Sequence, residues 1–290
     1  MGHDHGHQSN KNLKIAFWTN LGFSIFEIFG GIYVNSVSII SDAIHDFGDS
    51  LSLGTAWYLQ KKSTKEADSK YSFGYARHSL LGALMNSLVL IGGAGFVIYK
   101  AIDRIVTPEP SDALGMVFFA VIGVVVNGVI ALRMRSTTSL NEEVVFWHFL
   151  EDVLGWAAVL VAAIVMLFYP SPYIDPILSL AITAYILWGV SKRLKKTLHF
   201  FLQGVPKEID LKDIEQRILA ISHVESTHHT HVWSLDGENH VFTTHVTLKE
   251  IESFDQIVAT KKEVKKLLGK EKFSHFTVET ELNDELCSFK

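Results

Sequence analysis

The sequence predicts a bundle of six membrane-spanning helices followed by a small α+β domain, on three observations. Long apolar stretches recur up to about residue 200, Lys and Arg gather in alternate loops between them, and the composition changes after Gln203-Gly204. A mean hydropathy of +0.22 and a hydrophobic share of 48% fit a chain that is largely in contact with lipid. Charge is sparse in the first region and dense in the second, so the net −5 averages two unlike parts and names no partner.

A hydrocarbon layer about 30 Å thick takes roughly 20 apolar residues of helix to cross. Six segments reach that length: 13–34, 38–60, 80–104, 113–133, 144–168 and 173–194. Short runs of turn formers separate them, Asn35-Ser36, Pro108-Glu109-Pro110 and Pro170-Ser171-Pro172 among them. Lys11 and Lys14 precede the first segment; Lys61, Lys62, Lys65, Lys70 and Arg77 follow the second. Arg133 and Arg135 follow the fourth, and Lys192, Arg193, Lys195 and Lys196 the sixth, whereas loops 35–37, 105–112 and 169–172 hold no Lys or Arg. Cytoplasmic loops carry the positive excess, which places both termini in the cytoplasm. Lys100 and Arg104, near the outer end of the third segment, are expected to reach outward to the interface.

The head MGHDHGHQSN has no apolar run before Leu13, so no cleavable signal is expected and a bacterial cytoplasmic membrane is the predicted location. A single Cys287 excludes an internal disulfide framework and a multi-cysteine metal cluster. A pI of 6.3, with no basic stripe carrying interleaved aromatics, excludes nucleic acid as a partner.

Beyond residue 204, Ile209, Ile214, Ile218 and Ile221 line one side of a predicted helix over 208–221. Two β-rich runs, 224–235 and 239–248, flank Asp236-Gly237, a hairpin signal. A second amphipathic helix over 254–268 and a strand over 275–282 complete an α-β-β-α-β order, with one helical layer on a sheet. The predicted division is a His-rich cytoplasmic tail at 1–12, a transmembrane domain at 13–200 and a cytoplasmic domain at 201–290.

Ionisable groups are costly within a bilayer, so those inside the spans are candidates for function. The second span reads SDAIHDFGDS and the fifth VFWHFLEDVLG. Each holds a His four residues before an Asp: His45 with Asp49, and His148 with Asp152. A separation of four puts both side chains on one helix face, one turn apart. Two such faces turned together offer two imidazole nitrogens and two carboxylates, the four-coordinate N/O set that zinc favours. Calcium would want more oxygens and no imidazole, while cobalt, nickel and cadmium fit the same ligand types. Histidine titrates near neutrality, so protons compete with metal for this set. A lone pair of this kind would be read as an interhelical hydrogen bond; two matching pairs favour metal. Asp42 and Asp46 flank His45, Asp46 to the side of this face and Asp42 either shaping an outer exit path or standing as a solvated carboxylate at the outer end; Glu151 is read as lying on another face, and Glu27, Asn86 and Asn127 as interhelical hydrogen-bonding groups. Gly92, Gly93 and Gly95, with Gly30-Gly31, are expected to let helices pack closely.

With SDAIHDFGD, the FGYAR at 73–77, the HxxxD of the fifth span followed by Leu154-Gly155, LQGVPKEID at 202–210 and THHTHVW at 227–233, nearly the whole chain resembles the cation diffusion facilitator family, in its zinc-transporting branch. The resemblance implies a homodimer, a ferredoxin-like cytoplasmic domain that binds zinc, and metal–proton antiport rather than catalysis. It implies His45, Asp49, His148 and Asp152 as the transport site, and His228, His245 and Glu281 as ligands of a cytoplasmic zinc. Where the family has Asp after its first cytoplasmic His this chain has His229, which leaves that ligand set open. Strand alternation puts His229 and His231 on one face and His228 on the other. Ser79, Glu151 and Trp156 also depart from the family pattern, the last two adding charge and bulk beside the transport site. The His3, His5 and His7 head is expected to collect metal weakly, or merely to be a mobile terminus.

Two rival readings belong to other classes. An intramembrane zinc hydrolase would need an open coordination position and a base, as in HExxH, and the sequence has no such motif. A membrane-anchored metal sensor would need far fewer than six spans.

Overall fold

A computed structural model describes residues 4–63, 65, 67–134, 140–271 and 273–282. His3, Arg135 and Cys287 lie outside these residues. The chain separates into two compact units, Met1–Tyr58 with Gly82–Leu194, and Leu59–Leu81 with Lys195–Lys290.

Six long helices, some of whose ends run into the second unit, make the first: α1 (Asp4–Tyr33), α2 (Val37–Ser63), α3 (His78–Val106), α4 (Ala113–Met134), α5 (Leu140–Phe168) and α6 (Ile174–Phe201). Each predicted span falls on one helix, though α1 begins at Asp4 rather than at 13 and α6 continues to Phe201 rather than to 194. No Gly or Pro interrupts 195–201; the helix stops where Gln203 takes a φ of 58° and the Gly204 amide turns back to the His199 carbonyl at 2.8 Å. Helices α3, α4, α5 and α6 are each long and apolar enough to cross a membrane. Helix α2 carries Asp42, Asp46 and Asp49 in mid-length, which lowers its hydropathy. Phe29, Leu88, Val125, Leu154 and Val161 face outward, exposed, as lipid-facing side chains would.

Phe23, Ile39, Met116, Trp156, Val159 and Met166 pack α1, α2, α4 and α5 together. Small residues set the closest approaches: a Cβ on Gly93 of α3 would collide with Ile44 of α2, and one on Gly30 of α1 with Phe119 of α4. Nothing lies within 4 Å of the corresponding position on Gly92 or Gly95, so only part of the glycine run works as expected. The N-terminus of α2 is pinned by buried Asp175 of α6. Its carboxylate accepts hydrogen bonds from the Val37 amide at 2.7 Å, the Ser38 amide at 3.1 Å and the Ser36 hydroxyl at 2.7 Å. This satisfies amides that a helix start leaves without intrahelical partners and sets a negative charge at the positive end of the dipole.

In the second unit α7 (Leu211–Leu219), β1 (Val224–Ser234), β2 (His240–Leu248), α8 (Phe254–Leu268) and β3 (Phe273–Leu282) follow in the expected order. Asp210 caps α7 by accepting from the amides of Lys212 and Asp213, and Ser253 with Gln256 forms a capping box for α8. The sheet order is β1-β2-β3. β1 and β2 run antiparallel about the Asp236-Gly237 turn, where Gly237 has a φ of 102°. β2 and β3 run parallel with α8 as the crossover between them. Ile214, Ile218, Val264 and Leu268 of the helices pack on Val232, Phe242, Val246, Leu248 and Val278 of the sheet.

The FGYAR segment belongs to this unit, with the Phe73 ring 6.2 Å from Trp233 and 5.4 Å from His275 between centroids. Just before it, Asp68 accepts from the Lys65 ammonium at 2.9 Å, the Tyr75 hydroxyl at 2.8 Å and the Tyr71 amide at 2.9 Å. These donors, Lys65 first, hold the Asp68 carboxyl well below the usual carboxylate range. A carboxyl with a depressed folded-state value stabilises above its unfolded value and loses that contribution as pH falls toward the folded one. The 67–75 turn is therefore expected to be tight at neutral pH and to open progressively below about pH 4, read as faster exchange of the Lys70 and Tyr71 amides; exchange unchanged down to acid unfolding would contradict this. Gly93→Ala is expected to destabilise the first unit by about 1–3 kcal/mol, because stiff, β-branched Ile44 cannot swing clear. Gly92→Ala should leave the thermal midpoint unchanged or slightly higher, and equal losses in both variants would contradict the packing account.

Candidate metal site

Helix α2 presents Asp42, His45, Asp46 and Asp49 at intervals of three and four, a continuous stripe along one side. Helix α5 brings His148 and Asp152 against it. The His45 Nε2 lies 3.6 Å from Asp49 Oδ2, His148 Nδ1 3.5 Å from the same Asp49 oxygen, and His148 Nε2 3.6 Å from Asp152 Oδ2. Two ligands each about 2.1 Å from a tetrahedral ion are separated by roughly 3.4 Å, so these separations have the scale of tetrahedron edges. The four sequence-predicted residues are thus brought together from two helices.

Their arrangement is not yet one tetrahedron. The two histidine rings are 6.4 Å apart between centroids, and His148 turns a different nitrogen to each carboxylate. One donor group on this face is His45, Asp46 and Asp152, with one donor atom from each within 4.8 Å of the others. Asp46, treated in the sequence as flanking, is fully buried and belongs to the cluster. The signal was present: Asp42 and Asp46 repeat the four-residue interval of His45 and Asp49.

Glu27 of α1 joins from the other side, its carboxylate grouped within 4.8 Å with those of Asp42 and Asp46. It was expected to make an interhelical hydrogen bond, and the indole N–H of Trp156 on α5 is the donor that faces it, though outside close hydrogen-bond geometry. Asn127 instead donates within its own helix to the Gly123 carbonyl at 3.1 Å. Gly155 lets α5 pass close to Asp42, whose oxygen is 3.8 Å from where a Cβ would stand. Glu151 is exposed while Asp152 is buried, so Glu151 lies off the cluster. Trp156 is wholly buried against Phe23, and its bulk is accommodated because residue 123 of α4, where any Cβ would strike the indole, is glycine.

A second donor group sits on the sheet of the other unit, on the face away from α7 and α8. His228 Nε2 is 3.0 Å from Glu281 Oε2, and His245 Nδ1 is 2.6 Å from Glu281 Oε1; donor atoms of all three lie within 4.8 Å. Strand alternation fails here for a specific reason. The pairing runs His228 with His245 and then His231 with Thr243, so β1 spends an extra residue. His229 takes a φ of 46° and its ring comes 5.4 Å from His228 and 5.5 Å from His245 between centroids. The bulge brings His229 beside His228, and the register sets exposed His231, opposite Thr243, on the same face as His228 and His245, which corrects the expectation that His228 faces away from His231. Nothing short of the register would have revealed it.

A membrane unit with a buried carboxylate–imidazole cluster, joined to a small mixed-sheet unit with its own metal-type donors, defines a class: a membrane protein built to handle cations. Residues 13–202 match the cation efflux transmembrane domain, and 206–281 the cation efflux protein cytoplasmic domain. The chain belongs to the cation efflux, or cation diffusion facilitator, family. It is 33% identical over 285 residues to the metal cation efflux system protein CzcD of Cupriavidus metallidurans, covering 97% of this chain and 89% of that one. It is 29% identical over 286 residues to the cadmium, cobalt and zinc/H(+)-K(+) antiporter of Bacillus subtilis, covering 97% and 92%. With the zinc transporter ZitB of Escherichia coli it shares 29% over 258 residues, covering 85% and 82%.

Asp46→Asn, like Asp49→Asn, is expected to weaken zinc binding in the spans by about tenfold or more, measured by competition with a metal indicator. A variant that binds as tightly as the parent would remove Asp46 from the cluster's chemistry. On the sheet, Glu281→Gln should weaken zinc binding similarly while the unit keeps its circular dichroism spectrum, because Glu281 touches both histidines but is not part of the apolar core.

Proposed function

We propose that this protein exports divalent metal, zinc first, across the cytoplasmic membrane in exchange for protons. The observation that carries the reading is the convergence of two His-x-x-x-Asp pairs, from α2 and α5, on one cluster inside apolar helices. Imidazole and carboxylate together suit zinc, and also cadmium or cobalt. Relatives named as a zinc transporter and as a cadmium, cobalt and zinc antiporter support that range.

In the proposed cycle His45, Asp49, His148 and Asp152 strip water from the entering ion, and two carboxylates neutralise the dication so that its burial becomes affordable. When the site opens outward, protons compete for the same imidazoles and carboxylates and displace the metal. An inward proton gradient thereby drives metal outward. No reaction is catalysed, so the protein is a secondary transporter. The intramembrane hydrolase is disfavoured because four ligands would leave zinc no open position and because Glu151 is exposed and off the cluster.

The reading includes six spans in α1 to α6, both termini in the cytoplasm by the Lys and Arg asymmetry, and the division at 1–12, 13–200 and 201–290. It includes a ferredoxin-like cytoplasmic domain that joins two copies into a homodimer, in line with the match to the family's cytoplasmic domain. Zinc held by His228, His245 and Glu281, with His229 beside them, would tighten that dimer when cytoplasmic metal is abundant.

Protein in liposomes with an imposed pH gradient tests the reading. Wild type should move zinc against an opposing proton flux, and Asp152→Ala should lose about 100-fold or more of that rate, the equivalent of removing roughly 3 kcal/mol of ligand interaction. Equal transport by both would make the paired residues structural; no flux of zinc, cadmium or cobalt in either would favour a sensor.

A further inference from the structure

The four predicted ligands do not exhaust the charge inside the helices. Glu27, Asp42 and Asp46 are 0%, 5% and 0% exposed. With Asp49 and Asp152 they bring the carboxylates of this cluster to five, and among the described residues none of them is paired with Lys or Arg. Both oxygens of Asp46 and the Oδ2 of Asp42 are buried with no hydrogen-bond partner among the described residues, and Glu27 has the Trp156 indole N–H near it but outside close hydrogen-bond geometry. A buried carboxylate that accepts neither a hydrogen bond nor a counter-charge is strongly disfavoured. Here three of them converge, with one oxygen from each within 4.8 Å of the others. Oxygens that meet so closely, with a single indole N–H as the donor near them, describe the ligand shell of a cation.

We propose that Glu27, Asp42 and Asp46 form a second divalent-cation position, separate from the set of His45, Asp49, His148 and Asp152. Its donors are oxygen only, which zinc accepts alongside nitrogen and which harder divalent ions prefer. Asp46 belongs to two groups at once, with Glu27 and Asp42 on one side and with His45 and Asp152 on the other. A carboxylate shared in this way lets two ions sit side by side, as in two-metal sites, or lets one ion pass between positions without returning to water. One dication on the four-residue set compensates two negative charges of the five, and a second on the triad compensates two more. The inference rests on the geometry of the triad and does not require that either ion be transported.

The test is a metal count on the purified full-length protein in lipid nanodiscs, stripped and reloaded with zinc, together with a zinc-edge anomalous map of loaded wild-type crystals. Glu27→Gln keeps the size of the side chain and removes its charge, and Asp42→Asn serves as a second variant should the first fail to fold. The expected result is two anomalous peaks within the helices of the first unit, and about one ion fewer per protomer in either variant. His148→Ala, which alters only the four-residue set, should keep the ion at Glu27. A single peak on the four-residue set, with Glu27→Gln and Asp42→Asn binding as much zinc as wild type, would overturn the proposal and leave protons as the neutralising species. Failure of the transport-site assignment would show differently, as an unchanged count in His148→Ala.

Discussion

Negative charge placed inside apolar helices is the constraint on which this structure turns. Glu27, Asp42, Asp46, Asp49 and Asp152 stand within segments whose outer faces are lined by large apolar side chains. Isolated ions in such surroundings are strongly disfavoured. The cluster therefore asks for a cation, and its two imidazoles narrow the choice toward metals that accept nitrogen. A binding energy too large would trap the ion. Protons compete with metal for histidine near physiological pH, so in the proposed cycle the side chains that would hold the metal would also provide for its release.

The rest of the first unit can be understood as support for that cluster. Helix α2 contributes three carboxylates and a histidine, which costs it apolar surface, and it is compensated at its N-terminus by the buried Asp175 network. Gly93 admits Ile44, and Gly123 admits the indole of Trp156, so α2 and α5 each lie close to a neighbour along the turns that carry their ligands. In the second unit the same logic appears on a sheet. One face is spent on the apolar core beneath α7 and α8, and the other is free to carry His228, His245 and Glu281.

Much of this was legible in the sequence, and the divisions follow physical lines. Helices α3 to α6 were visible because lipid demands long apolar runs, α1 and α2 as less apolar runs of similar length, and the two His-Asp pairs because charge in such runs is conspicuous. The α-β-β-α-β order was visible from periodicity and from Asp236-Gly237. Asp46 is harder to read from sequence, because the second four-residue ladder, Asp42 to Asp46, carries no histidine to set it apart on the same helix. Glu27 could not be placed, since its role depends on how α1 packs against α2. His229 could not be placed either: a single extra residue in β1 reverses which face a side chain takes, and only the strand register records it.

The central claim, that imidazole and carboxylate from α2 and α5 hold the metal, is tested most directly by zinc X-ray absorption. The sample would be full-length protein carrying His228→Ala and His245→Ala, loaded with one equivalent of zinc. The account predicts a shell of nitrogen and oxygen at about 2.0–2.1 Å with the multiple-scattering signature of imidazole, and loss of that signature when His45 and His148 are also replaced. A zinc shell of oxygens alone, or an imidazole signal that survives replacement of both histidines, would contradict it.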